Sequence, residues 1–240
     1  MKKFKCRFII IETIITILLF SITGTALGWY DKTHISIARA AGYKMWYNAA
    51  GPDIAKIKAG NIEAFNHWFN NNRELDVTSQ MVMQQTIRYN KADFSDAEGH
   101  LYGAIIASLR EYEAYLKSGL FAEHNMAYCA HYIGDLSMPL HNVPYDEFNK
   151  YHHNINDATV DKVVLDHPEN ITRYMYDITL RNDCFEEDLS KEIARIANIS
   201  RLLGQKIRAE NRDMTPQEAY IQLGHSSSLF RAVLKHYKKL

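Results

Sequence analysis

The chemistry-bearing residues of this sequence concentrate in one run, His131-Tyr132-Ile133-Gly134-Asp135, with His141 six positions further on. His131 and Asp135 are four apart, so on a helix both side chains leave one face, about 5–6 Å between their Cβ atoms. Pro139 must end that helix within a turn, which frees His141 to reach a neighbouring site. A second pair with the same spacing follows, His153 with Asp157. Imidazole nitrogens and carboxylate oxygens spaced like this are ligands that zinc takes. His152 with Asn156 offers a competing register, but a neutral amide is the poorer ligand, so the reading prefers His153 with Asp157. One His/carboxylate pair on a helix is commonly a surface ion pair. Two consecutive pairs with a histidine between them point to metal. Upstream, His34 lies five residues after Trp29, and Asp53, in Gly51-Pro52-Asp53-Ile54, lies fourteen before His67.

These residues need helices to position them, and the sequence supplies helical periodicity from about residue 33 onward, with no sustained alternation of the strand kind. Two helix starts are well marked. Ser95-Asp96-Ala97-Glu98 and Thr215-Pro216-Gln217-Glu218 both read as capping boxes, the second with proline at the first helical position. Ile193, Ile196, Leu202, Leu203 and Ile207 read as core positions of one helix, while Gly51-Pro52 and the stretch 138–144 read as turns. Ser226, Ser227 and Ser228, beside His225, read as part of the last helix rather than as nucleophiles, since no orienting acid or glycine-flanked elbow accompanies them. His100, His124, His152, His167, His225 and His236 read as surface or core histidines. The expected fold is all-α, a single-domain multi-helix bundle over residues 29–240.

The first residues predict an exported protein. Lys2, Lys3, Lys5 and Arg7 precede an apolar run from Phe8 to about Ile22, and Ala26-Leu27-Gly28 places small residues where a signal peptidase reads them. Residues 1–28 are therefore expected to be a cleaved signal peptide and the mature chain, secreted or periplasmic, to begin at Trp29. The run is short and broken by Glu12, which argues against a retained transmembrane anchor. Losing four Lys/Arg and one Glu from 28 of each leaves 24 basic and 27 acidic residues, a formal charge of −3. Such a body has no basic footprint for duplex DNA. Cys6 leaves with the signal; Cys129 and Cys184 could form one disulfide in an oxidising compartment, and the sequence leaves that open.

In the order Trp, His, Asp, His, then His-x3-Asp-x5-His, then His-x3-acid, residues 29 to about 161 resemble the zinc-dependent phospholipases C and the related single-strand-specific zinc nucleases. The resemblance implies a trinuclear zinc cleft. Asp53, His67, His131 and Asp135 would hold one Zn2+, and His141, His153 and Asp157 a second. The third would be held by His34, by Asp135 as a bridge, and by the α-amino nitrogen and carbonyl oxygen of Trp29. Only a processed chain frees that amine, whose pKa near 8 lets a metal displace its proton. Zinc-activated water would then attack phosphorus, with Asp53 accepting its proton.

The resemblance implies a phosphodiester substrate and leaves its kind divided. The compact spacing from His141 to His153 and the Gly-Pro-Asp-Ile string look like the phospholipases, which act on phospholipid at a membrane surface. Asp157 and the short Trp29–His34 spacing look like the nucleases, whose substrate is single-stranded nucleic acid. Trp68 and Phe69 could stack a base, line an acyl pocket or be core. A non-catalytic zinc-binding protein would favour closed, cysteine-rich sites, and a di-iron bundle would want Glu-x-x-His pairs. Neither pattern is present.

Overall fold

The computed structural model describes residues 29–91 and 98–240. The expected leader, and Ser95, Asp96 and Ala97 of the first capping box, lie outside the described residues. Among those residues the chain is all-helical, with ten α-helices and no strand. They are α1 (Asp31–Ala41), α2 (Gly51–Ala59), α3 (Asn61–Ala64), α4 (Ser79–Gln85), α5 (Leu101–Lys117), α6 (Glu123–Leu136), α7 (Glu147–Asp157), α8 (Glu169–Thr172), α9 (Phe185–Ala209) and α10 (Pro216–His236). Short 3-10 turns include Trp46–Ala50 and Pro139–His141.

The arrangement follows from which helices can bury more than one face. On α6 nearly every residue from Asn125 to Leu136 is buried, because α5, α10, α1, α2, α9 and both of those turns pack around it. A helix enclosed in this way carries its polar residues, His131 and Asp135, into the interior. One core group joins α5 and α6 through Leu101, Ile105, Met126, Ile133 and Phe230, and a second gathers Trp29, Ile37, Met138, Leu140 and Leu223. Trp29 is wholly buried in that second group.

Local chemistry sets the helix ends. Thr215 caps α10 by accepting from Glu218 N while Glu218 reaches back, and Pro216 occupies the first turn. Such a cap is worth about 1 kcal/mol. On α9, Glu186, Glu187 and Asp188 sit in the first turn and Lys206 and Arg208 in the last, complementing the helix dipole. Gly204 of α9 lets the 139–143 segment approach, since a Cβ there would stand 2.8 Å from the Pro139 carbonyl oxygen.

Two expectations need correction, and the cysteines, left open by the sequence, are placed. Gly51-Pro52 is not a turn but the first turn of α2. Proline favours both settings, because its fixed φ suits a helix start as well as a bend. Leu202 is 57% exposed, unlike Ile193, Ile196 and Ile207. At 100° per residue it points half a turn away from Ile193, so apolar character alone misplaced it. Cys129 and Cys184 are free thiols, the first buried within α6, where burial pushes its thiol far above the ordinary range.

Candidate metal centre

Six segments deliver the donors, most for a local reason. α6 presents His131 and Asp135 one turn apart. Its motif glycine makes room for a third donor: a Cβ at Gly134 would lie 2.5 Å from His34 Nδ1. The His34 ring, from α1, therefore lies over α6 and stacks on His131 with centroids 3.6 Å apart. α2 contributes Asp53 from its first turn. After Pro139 the chain makes a 3-10 turn that carries His141, as the sequence anticipated, and the His141 carbonyl accepts from Phe69 N at 3.0 Å, tying it to the segment that holds His67. α7 buries a polar stripe of Asn149, His153, Asn156 and Asp157.

Eight expected side-chain donors thus converge, all buried. Three groups place their ligand atoms within 4.8 Å of one another: His34, Asp53 and His131; His67, His131 and Asp135; and His141, His153 and Asp157. Asp135 links them. Its Oδ2 lies 3.0 Å from His67 Nδ1 and 3.3 Å from His131 Nε2, while Oδ1 lies 3.3 Å from His34 Nε2 and 3.6 Å from His141 Nδ1.

Surrounding hydrogen bonds fix which nitrogens carry protons. His131 Nδ1 lies 2.8 Å from the Ala49 carbonyl and must donate to it, so a neutral ring turns the lone pair of Nε2 toward Asp135. Against burial, the Asp135 and Asp53 carboxylates raise this histidine and favour a proton there until a cation takes its place. Asn149 spends its amide hydrogens on the Leu140 and Pro144 carbonyls, so its Oδ1 accepts from His153 Nδ1 at 2.7 Å. His153 Nε2 is then bare, 3.1 Å from His141 Nε2 and 3.5 Å from Asp157 Oδ2. Whichever nitrogen of neutral His141 holds its proton, one lone pair is left opposing another, at His153 or at Asp135.

Several buried atoms here have no hydrogen-bond partner: both His34 nitrogens, Asp53 Oδ1, Asp135 Oδ1, His141 Nδ1 and both Asp157 oxygens. Unpartnered buried groups usually cost about 1–3 kcal/mol each, more when charged. A cation shared among them removes the conflict, and the His/carboxylate donor set suits a metal ion.

The electrostatics agree. Burial works to raise Asp135, yet His131, His34 and His141 outweigh it and hold the carboxyl well below the usual range. Asp53 has the same opposition; His131, Lys56, His34 and His67 prevail and bring it down to about 2. Burial, reinforced by Asp135, pushes Asp157 well above the carboxylate range, so this carboxyl needs a nearby positive charge to ionise. Burial keeps His34 and His141 low, hence neutral and able to ligate.

Comparison of the chain with protein-family models, with curated proteins and with solved structures gave no match. The family resemblance therefore rests on the quoted residues of the sequence alone.

The competing register is resolved by distance. His152 Nδ1 turns to Asp213 at 2.6 Å, and Asn156 Nδ2 bonds the same carboxylate at 2.9 Å, so neither joins the cluster. Phe69 is buried with its ring 5.2 Å from Tyr102, and half-buried Trp68 lies edge-on to Phe65. Beside Trp29, the Tyr30 hydroxyl is raised by burial and then by Asp157 and Asp161.

Three residues escaped the sequence reading. Buried Glu63 places Oε1 3.3 Å from His67 Nε2, accepts from the Tyr132 hydroxyl at 2.6 Å and from Asn66 Nδ2 at 3.1 Å, and so steadies the ring behind its ligating edge. Asn149 does the same for His153. Lys56 is buried one turn beyond Asp53, with Nζ 3.0 Å from Asp53 Oδ1. Each lies three or four residues from an expected ligand, the spacing that could have found it.

Proposed function

We propose that this chain is an exported zinc-dependent phosphodiester hydrolase, a phospholipase C that releases diacylglycerol from glycerophospholipids. The observation that carries this reading is a buried cluster of metal donors with a lysine, Lys56, buried beside it and paired with Asp53 at 3.0 Å. His67, His131, Asp53 and Asp135 would hold one zinc, and His141, His153 and Asp157 another. His34, Asp135 and the freed amine and carbonyl of Trp29 would hold a third. Zinc supplies activated water at neutral pH and stabilises charge on the phosphoryl oxygens.

The chain's own groups do the rest. The divided carboxylate of Asp135 sets the spacing between sites. Glu63 and Asn149 keep protons on the outer nitrogens of His67 and His153, leaving the inner ones to ligate. Lys56 would hold a phosphate oxygen as a point charge. Asp53 stays ionised through the neutral range and would accept the water's proton; so weak a base contributes more as a ligand than as a proton acceptor.

The nuclease reading keeps support from Asp157 and the Trp29–His34 spacing. Trp68 and Phe69 serve neither substrate, since Phe69 is committed to the core and Trp68 to Phe65 and Gly99; the compact His141–His153 spacing is what favours lipid. The test is incubation of protein beginning at Trp29 with phosphatidylcholine, phosphatidylethanolamine and single-stranded DNA, with and without chelator. Chelator-sensitive diacylglycerol release is expected. Nucleotide release would move the assignment to the nucleases, and no hydrolysis by fully metallated protein would leave a binding role. A form extended before Trp29 should be weakly active.

A further inference from the structure

The helix that carries Asp53 and Lys56 into the centre has a second side that none of the described residues covers. Ile54 and Ile57, three apart on α2 and so adjacent on its surface, are 63% and 65% exposed. Tyr47, in the 3-10 turn before α2, is 56% exposed, and Ile62, in α3 after it, is 46% exposed. α2 packs chiefly on that turn, on α3 and on α6, which leaves its outer face to solvent.

The charges on this stretch are one-sided. From Lys44 to Ile62 the charged residues are Lys44, Asp53, Lys56 and Lys58. The single acid is buried in the centre, whereas Lys44 and Lys58 are exposed. Within the stretch 44–62 the outward face of isoleucine and tyrosine is therefore flanked by cations and carries no exposed acid. Isolated exposed isoleucines need no explanation, but paired ones beside lysines on a helix of the active centre do.

We propose that this face of α2 docks on an anionic phospholipid surface. Ile54 and Ile57 enter the boundary between headgroups and acyl chains and Lys58 meets the lipid phosphates, while Asp53 and Lys56 stay on the inward side of the same helix, at the donor cluster. The inference rests on the phospholipase reading and adds where the lipid arrives. Nucleic acid would use the cations but has no use for the isoleucines. A second copy packed on the same face about a two-fold axis would bring the lysines together.

The experiment is co-sedimentation of the zinc-loaded protein with phosphatidylcholine vesicles, with and without phosphatidylglycerol. Hydrolysis of soluble bis(p-nitrophenyl) phosphate and circular dichroism are followed in parallel. The wild type should bind, more tightly with phosphatidylglycerol and less so in high salt. Ile54→Ser with Ile57→Ser should weaken vesicle binding at least about tenfold. Lys58→Glu should cost several-fold on phosphatidylglycerol vesicles alone. All three substitutions should leave the circular dichroism and soluble hydrolysis unchanged, and Ile57→Trp should show a blue-shifted emission on vesicles. Vesicle binding by the double variant equal to the wild type would overturn the docking surface, as would single-stranded DNA binding that needs Lys58 in a protein indifferent to vesicles. Isoleucine-dependent vesicle binding without hydrolysis of any phosphodiester would uphold the surface and remove the enzyme reading instead.

Discussion

On α10, four consecutive polar residues are buried or half-buried and each has a partner; on α6 and its neighbours, buried polar residues of similar kinds do not. Ser226 Oγ donates to the Ile133 carbonyl, Ser227 Oγ to the Ile37 carbonyl at 3.2 Å, and Ser228 Oγ to the Gly224 carbonyl at 2.8 Å. His225 Nδ1 meets the Tyr176 hydroxyl at 2.9 Å. Against this, His34, Asp53, Asp135, His141 and Asp157 all keep buried atoms that make no well-directed hydrogen bond and meet only ion-pair neighbours or none, as Asp53 Oδ1 meets Lys56 Nζ at 3.0 Å. The satisfied region holds the unsatisfied one. Ile133 lies between His131 and Asp135 on α6, and Ile37 is on α1 with His34, so Ser226 and Ser227 of α10 fasten two of the helices that carry donors. The seam accounts for its own stability, while the centre needs something from outside, and that difference separates scaffold from site.

The comparison can be tested from the centre outward. Asp135→Asn removes the carboxylate that reaches both histidine groups. It should strip at least one metal ion per chain and lower phosphodiester hydrolysis on the order of 10²–10³-fold or more, by metal analysis and steady-state rates. Near-normal metal content in that variant would mean Asp135 is only an ion-pair partner.

Glu63→Gln keeps the shape around His67 but weakens the hold on its outer proton. Zinc affinity by chelator competition should drop roughly 10–100-fold with the fold intact. In the seam the expected readout is reversed. Ser227→Ala should cost about 1 kcal/mol in denaturant unfolding and change zinc affinity by less than about twofold.

His225 offers a pH test remote from the metal donors. Burial, then the positive Arg195, push this histidine down to about 4. Between its unfolded value near 6.5 and about 4, the unfolded chain takes up a proton that the folded one refuses. Its contribution is therefore complete above about 6.5 and falls as the pH drops through that window. Since the ring is partly exposed, the loss should be about 1–2 kcal/mol after solvent screening. Chemical unfolding of metal-free protein across that range, with His225→Gln as control, measures it.

The part of the centre that the sequence made legible is the part built from one turn of helix. His131 with Asp135, and His153 with Asp157, are found because four residues bring side chains to one face. Pro139 announced the break that frees His141. Lys56, Glu63 and Asn149 obey the same spacing, yet they supply a cation, a carboxylate behind a ring and an amide, so a search for metal ligands passes over them. The exclusion of His152 and Asn156 needed Asp213, more than fifty residues away. Leu202 and Gly51-Pro52 failed for a different reason: residue type was read without asking which way the helix faced or where proline suits a helix start. The all-helical fold was legible throughout, since period and caps are local, while the enclosure of α6 depends on contacts across the whole chain.

Metal analysis of purified protein whose N-terminus is Trp29 tests the central claim most directly. Three zinc ions per chain are expected, falling to two in a form extended before Trp29. Iron in place of zinc, or fewer than two zinc ions in the Trp29 form, would contradict the account.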